Sequence, residues 1–214
     1  MHVYRVTYSP AAGKDQEVTS LLKDRVKERA SKGHRIFMMT EALSPQGGHR
    51  HQLVSLWDNL NDLGDVASTY VTKGSDPGST LYRQKIEPLL RAPVQSELWE
   101  VLVPIKTAPK VGEFVVRQSI YPDPAHHIDF RSPLVELTKQ MQTQGFNVGQ
   151  YVQFLPHAGS VFQGIFPLSR LGDFEAFIAK RPPEVFTWLR TYSALVRKPF
   201  EFELWAMATP PPQM

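Results

Sequence analysis

Along the first hundred residues the hydrophobic positions change rhythm several times. From Val3 to Tyr8 they follow the two-residue alternation of a strand, closed by Ser9-Pro10. Val18, Leu21, Leu22, Arg25, Val26 and Arg29 then recur at helical spacing, which predicts a helix over about Lys14 to Ser31, ended by Gly33, with the arginines at the edge of the apolar stripe. Two strand patterns follow, Ile36 to Glu41 and His51 to Trp57, joined through a turn containing Gly47-Gly48. A helical region broken near Gly74 to Gly78 leads to a last strand carrying Glu97-Leu98-Trp99. The order is βαββαβ, the split βαβ or ferredoxin-like unit.

The pattern is written twice. Leu89 to Pro104 reads LLRAPVQSELWEVLVP and Leu195 to Pro210 reads LVRKPFEFELWAMATP, with seven of sixteen letters shared at an offset of 106. LNDLGD at Leu60 matches LSRLGD at Leu168, and Val3-Tyr4-Arg5 matches Val115-Val116-Arg117. The drifting offset places short deletions in the loops of the second copy, where length changes cost little. Phe130, Leu134, Leu137 and Met141 mark its first helix, ended by Gly145. Val148 to Leu155 and Ser160 to Phe166 mark its hairpin, and Pro182-Pro183 its helix break. Two α+β modules are expected, at 1–105 and 112–210, separated by Pro104 to Gly112.

Strand alternation sorts residues by face. The expected sheet order within a module is 4-1-3-2, with helices on one side only, so the helix-free faces of the two modules should pack together as an α/β barrel. A helix-packed face would hardly take an arginine. Arg5, Glu97 and Trp99, and in the second copy Arg117, Glu203 and Trp205, are therefore assigned to the helix-free face, with Arg5–Glu97 and Arg117–Glu203 as cross-strand pairs. The third strand is expected to add His51, Ser55 and Trp57 to that face, and Gln163 in the other copy. These polar anchors with tryptophan walls describe either a small-molecule pocket or a satisfied cross-link inside a closed barrel. The copies differ at Ser55 against Gln163 and at Trp57 against Ile165.

Composition narrows the chemistry. The 214 residues contain no cysteine, which removes disulfides, thiolate nucleophiles and zinc–thiolate sites. That fits a cytoplasmic location, and the Met1-His2-Val3-Tyr4-Arg5 start has no secretory pattern. No apolar run reaches membrane-spanning length. A net charge of +3 is mild; Lys23, Arg25, Lys27, Arg29, Lys32 and Arg35 crowd the first helix, but interleaved Asp24 and Glu28 suit a solvated face better than a nucleic-acid surface.

The duplicated βαββαβ order, Arg5 and Arg117, the LNDLGD/LSRLGD segments and RAPVQSELWE/RKPFEFELWA resemble the dimeric α/β-barrel superfamily, and within it NIPSNAP-type domains. The resemblance covers nearly the whole chain. It implies an intramolecular pseudo-dimer, open to further homo-oligomerisation, that holds a small apolar or aromatic ligand. The chemistries it implies include cofactor-independent oxygenases and isomerases, with a haem-binding protein and a non-enzymatic interaction module as alternatives. No cofactor is called for by the residues themselves. If haem binds, His126 and His127, in the loop after Pro122-Asp123-Pro124, are the candidate ligands; otherwise they are solvent-exposed loop histidines. His49 and His51 share a strand face but lack a third ligand, and exposure at the hairpin tip is expected, as for His157 in the second copy. Trp188 and Tyr192, four apart, read as helix packing.

Overall fold

The structure, a computed structural model, describes residues 1–43, 49–73, 77–154 and 160–212. The first repeat forms β1 (His2–Tyr8), α1 (Asp15–Ser31), β2 (Ile36–Glu41), β3 (His51–Trp57), α2 (Leu60–Lys73), α3 (Pro77–Ile86) and β4 (Gln95–Val103). The second forms β5 (Phe114–Ile120), α4 (His127–Thr143), β6 (Gly149–Phe154), β7 (Phe162–Leu168), α5 (Gly172–Ala179), α6 (Pro183–Tyr192) and β8 (Glu201–Met207). The fold is α+β, and the strands form a closed antiparallel barrel in the order β1-β3-β2-β8-β5-β7-β6-β4. The expected hairpin turn at Gly47-Gly48, and His157 with its loop, lie outside the described residues.

Local chemistry explains the helix ends. Gly33 and Gly145 adopt φ +83° and +92°, the left-handed conformation that favours glycine. Behind α1, the Gly33 N–H donates to the Ala30 carbonyl and His34 N–H to that of Arg29. Behind α4, Gly145 donates to Gln142 and Phe146 to Met141. Both are Schellman closures, which satisfy the last helical carbonyls and turn the chain sharply into the next strand. In the second repeat the helical region breaks at Pro182-Pro183, as the sequence predicts, and resumes as α6 at Pro183; in the first, α2 ends at Lys73 and α3 starts at Pro77, and residues 74–76 of the expected break lie outside the described residues.

The chain divides into two compact units, one of Met1–Glu97 with Ala208–Met214 and the other Leu98–Met207. In the first, β3 pairs antiparallel with both β1 and β2. The edge of β2 is met by the C-terminal segment: Ala208 N–H donates to the Met38 carbonyl at 2.9 Å and Met38 N–H to Thr209 Oγ1 at 2.8 Å. Between this sheet and its helices lies an apolar core of Tyr8, Val18, Leu22, Val26, Met38, Leu53, Ile86 and Leu89. In the second unit β8-β5-β7-β6 runs in the expected 4-1-3-2 order, and β4 from Leu98 onward extends it beside β6. Its core is aromatic. Phe130, fully buried, is surrounded by Phe162, Trp188 and Tyr192 at ring distances of 6.3, 5.9 and 5.4 Å. Trp188 and Tyr192 stack at 5.2 Å, the helix packing expected from their spacing. Among the described residues no helix is long and apolar enough to cross a membrane.

Candidate functional site

Register decides which candidate residues meet. Residues directly opposite in an antiparallel pair point to the same face. Arg5 lies opposite Val54 and Thr7 opposite Gln52, whereas Tyr4 lies opposite Ser55 and His2 opposite Trp57. Arg5, Thr7 and Gln52 are thus buried on the helix-free face, with Gln52 donating to Thr7 Oγ1 at 3.0 Å. Ser55, Trp57 and His51 occupy the other face, beneath the helices, which corrects their assignment to the side of Arg5. The true counterpart of Gln163 is Gln52: Gln163 lies opposite Ser119 and donates to its hydroxyl at 3.1 Å. Both repeats keep the same register here, Arg5 opposite Val54 and Arg117 opposite Ile165, so Gln163 matches Gln52 and the match of Ser55 with Gln163 is displaced by three residues, an odd number that changes faces.

In the second unit the helix-free face carries a closed polar arrangement. Arg117 lies opposite Glu203, as the alternation predicts. Its guanidinium sits over the Trp205 indole, 4.7 Å from the ring centroid, and the indole N–H donates to Glu203 Oε2 at 3.2 Å. Arg117 and Trp205 are 3% and 1% exposed. Trp99, also buried, lies opposite Gln153 on β6. Cation over ring and ring N–H to carboxylate link Arg117, Trp205 and Glu203, the arrangement expected of a structural cross-link. Arg5 on β1 is buried to the same degree, and Glu97 is half-buried on β4.

A large space lies on the other side of the first sheet, beneath α1, α2 and α3. It is a cavity of about 640 Å³, within the range of sites for small organic molecules. The sheet supplies Tyr4, Val6, Tyr8, Leu53, Ser55 and Trp57; the helices supply Arg25, Arg29, Ser79, Tyr82 and Arg83; the Schellman turn after α1 delivers His34 and Arg35 to its rim. Two of the sequence-derived residues, Ser55 and Trp57, are therefore in it, and the Trp57 indole N–H is buried without a hydrogen-bond partner. Burial pushes the Tyr8 and Tyr82 phenols up, so both are neutral donors at neutral pH. Burial, followed by the charges of Arg29, Lys32 and Arg25, pushes the His34 imidazole down and keeps it neutral.

Arg25 is the unexpected member. It is 9% exposed, on the inward side of α1. Its guanidinium donates to Glu28 at 2.6 Å and to Ser79 Oγ at 2.6 Å, and lies 5.2 Å from the centre of the Tyr82 ring. Arg29 donates to the same Ser79 hydroxyl at 2.9 Å. The basic helix is therefore not wholly a solvated face; Lys23, Lys27 and Lys32 are exposed, while Arg25 turns into the cavity. The signal in the sequence is two arginines at the edge of the apolar stripe of α1.

The same position in the second unit is closed. There the sheet–helix space is about 60 Å³, occupied by Phe166, Phe174, Phe177 and Phe202 beside Trp188. Gly164 makes room for this packing: a Cβ there would meet the Phe166 ring at 2.9 Å.

The histidines of the second repeat are elsewhere. His126 caps the start of α4 with Nδ1 3.1 Å from Asp129, and His127 Nδ1 lies 2.9 Å from the Pro124 carbonyl, both contacts at the surface. His51, expected at an exposed hairpin tip, is 1% exposed beneath α1. Its Nδ1 meets Thr40 Oγ1 at 3.0 Å, and its Nε2 meets Asp15 at 3.0 Å and Thr19 at 3.1 Å. His49 is exposed with Nδ1 2.8 Å from the Glu41 carbonyl. No group of three or more metal-ligating side chains exists among the described residues.

No family model matches the chain, and no curated protein matches it. Solved structures do, over nearly the whole length. A protein of Fusobacterium nucleatum subsp. nucleatum, named only provisionally as a monooxygenase, aligns with a TM-score of 0.74 at 8% identity, covering 99% of this chain and 94% of its own. A protein of Lactobacillus acidophilus NCFM with the same provisional name gives 0.67 at 7% identity, covering 98% and 97%. An anthrone oxidase-like protein gives 0.62 at 10% identity, covering 96% and 90%. At such identities the likeness is one of fold, that of the ferredoxin-like α/β barrels.

Proposed function

We propose that this chain is a small-molecule-binding α/β-barrel protein whose ligand occupies the sheet–helix cavity of the first unit, and that it acts there as a cofactor-independent oxygenase on an aromatic substrate. The observation that carries the reading is the contrast between the repeats. One fold, built twice, leaves about 640 Å³ in one copy and about 60 Å³ in the other. A void of the larger size is not a by-product of the topology, because the second copy closes the same space with side chains alone. The open cavity also counts against a purely structural interaction module. The names of the structural neighbours, monooxygenase and anthrone oxidase-like, suggest the reaction class. The finer kinship with NIPSNAP-type domains, carried by the LNDLGD/LSRLGD and ELW segments, belongs to the same proposal.

The wall fits that chemistry. A methylene held between two aromatic rings and conjugated through them with a carbonyl, as in anthrone, is a carbon acid, because its anion is the enolate of that carbonyl. Neutral His34 would take the proton, and the guanidiniums of Arg25 and Arg29 would stabilise the enolate, with Tyr8 and Tyr82 as neutral hydrogen-bond donors. The electron-rich enolate reacts with dioxygen; the peroxide formed at that carbon loses water and leaves a carbonyl, so one dioxygen converts CH2 to C=O and water. The protein supplies position and a base.

Oxygen consumption with anthrone as substrate, with anthraquinone followed by chromatography, tests the reaction. The expected result is turnover that falls about a hundredfold in His34→Asn, in keeping with loss of a general base, while substrate still binds. Binding without oxygen uptake removes the oxygenase assignment. Binding that is unaffected by substitutions in the cavity wall removes the site.

A further inference from the structure

We infer that the cavity takes a ligand with an anionic head group, seated where Arg25, Arg29 and Ser79 converge, and that the chain holds one such ligand rather than two. The inference rests on the cavity reading above and deepens it. The duplication supplies an internal comparison.

Helices α1 and α4 have the same length, 17 residues, so they correspond position by position. Arg25 falls on Leu137 and Arg29 on Met141. Helices α3 and α6, 10 residues each and both opening at a proline, put Ser79 on Val185 and Arg83 on Leu189. Strands β3 and β7, 7 residues each, put Ser55 on Phe166. Every one of these residues lines the sheet–helix space of its own unit. Five positions that are polar in the first copy are apolar in the second, and the second copy folds with its seam closed. The fold therefore does not require cations at these places.

Placing them there is costly. A largely buried guanidinium loses hydration that only hydrogen bonds and charge can replace. Arg25 finds Glu28, the Ser79 hydroxyl and the Tyr82 ring. Glu28, however, also serves Lys32 at 2.7 Å, so one carboxylate lies between two cations. Ser79 Oγ accepts from two guanidiniums, at 2.6 and 2.9 Å, which draws two positive charges to one point on the cavity wall. Burial first, and then the charges of Arg29, Lys32 and Arg25, depress the His34 imidazole at the rim of the same cavity. Two planar donor forks aimed at one corner match a carboxylate or a phosphate. The other walls, Tyr4, Leu53 and Trp57, suit an apolar or aromatic body. In the second copy Leu137, Met141 and Val185 remove the polar groups of this corner, and although Arg181 lines the space only about 60 Å³ remains, hence the single occupancy.

Isothermal titration of the full chain with 2-naphthoate and with 2-naphthamide, its neutral isostere, tests the inference. The expected result is one naphthoate per chain, bound about ten- to hundredfold tighter than the amide, the worth of a charge-assisted hydrogen bond. Arg29→Met, which copies the residue at Met141, should abolish the preference while leaving amide binding in place, and Arg29→Lys should restore part of it. Inorganic phosphate as competitor distinguishes a phosphate-selecting corner from a carboxylate-selecting one. Equal affinity for acid and amide overturns the anionic head group and leaves the cavity reading intact. Two ligands per chain overturn the single occupancy. If neither probe binds, the cavity reading fails and this inference with it.

Discussion

Replacing Ser55 by phenylalanine installs in the first repeat the residue that the second repeat carries at Phe166. Ser55 is half-buried on the cavity wall. In the second copy the Phe166 ring lies against Gly164, but the corresponding residue here is Leu53, so a ring introduced at position 55 has the cavity as its remaining space. A phenylalanine buries about 150–250 Å² when fully enclosed. Taking about 100 Å² of apolar burial at a half-open position gives roughly 2.5 kcal/mol at about 25 cal/mol per Å². Unfolded-state compaction and side-chain ordering reduce this to about 1 kcal/mol, or about 2–4 °C in Tm for a chain of this size. Ser55→Phe should therefore raise Tm slightly and weaken naphthoate binding at least tenfold. Differential scanning calorimetry and titration on the same preparation measure both. A seam that is already packed would instead be overfilled and destabilised by about 1–3 kcal/mol. A fall in Tm of that size, or undiminished binding, refutes the reasoning.

Two further outcomes follow from other parts of the molecule. Burial holds the His51 imidazole below its ordinary value despite Asp15 beside it, and His34 is lowered as well. With the folded pKa depressed, their contribution to stability is whole above the unfolded value of about 6.5 and is lost as pH falls through the folded one. Urea unfolding should show stability declining between about pH 7 and 5, less steeply in His51→Gln; a wild-type profile flat over that interval contradicts the assignment. Arg117→Met removes the cation above Trp205 and leaves the half-buried Glu203 without it, so it should cost about 1–3 kcal/mol of stability without changing affinity for naphthoate. Loss of binding with unchanged stability would return the ligand site to the helix-free face.

Much of the architecture can be read from the amino-acid sequence because short-range geometry writes it there. Period-two and helical rhythms delimit β2, β3 and α1 nearly to the residue, and Gly33 and Gly145 mark helix ends because their backbone conformation disfavours other residues. The duplication needs no coordinates at all. That Arg117 and Glu203 share a face on neighbouring strands also follows from alternation and from the order of β5 and β8 in the ferredoxin-like unit, while their place directly opposite each other is a matter of register. The location of the cavity does not follow in this way. Alternation shows which residues of one strand share a face, but not how that strand is set against its neighbour; that offset depends on hairpin geometry, and a shift of one residue exchanges the faces. It carried Ser55 and Trp57 away from Arg5 and into the space under the helices. The arginines of α1 announced something within an apolar stripe, yet whether Arg25 reaches solvent or a cavity depends on where α3 places Ser79 and Tyr82, more than fifty residues along the chain. The sequence by itself determined the elements, their duplication and the fold class, because these rest on local periodicity. Tertiary structure alone decided register, burial and the open space, because these are set by contacts between residues far apart in the chain.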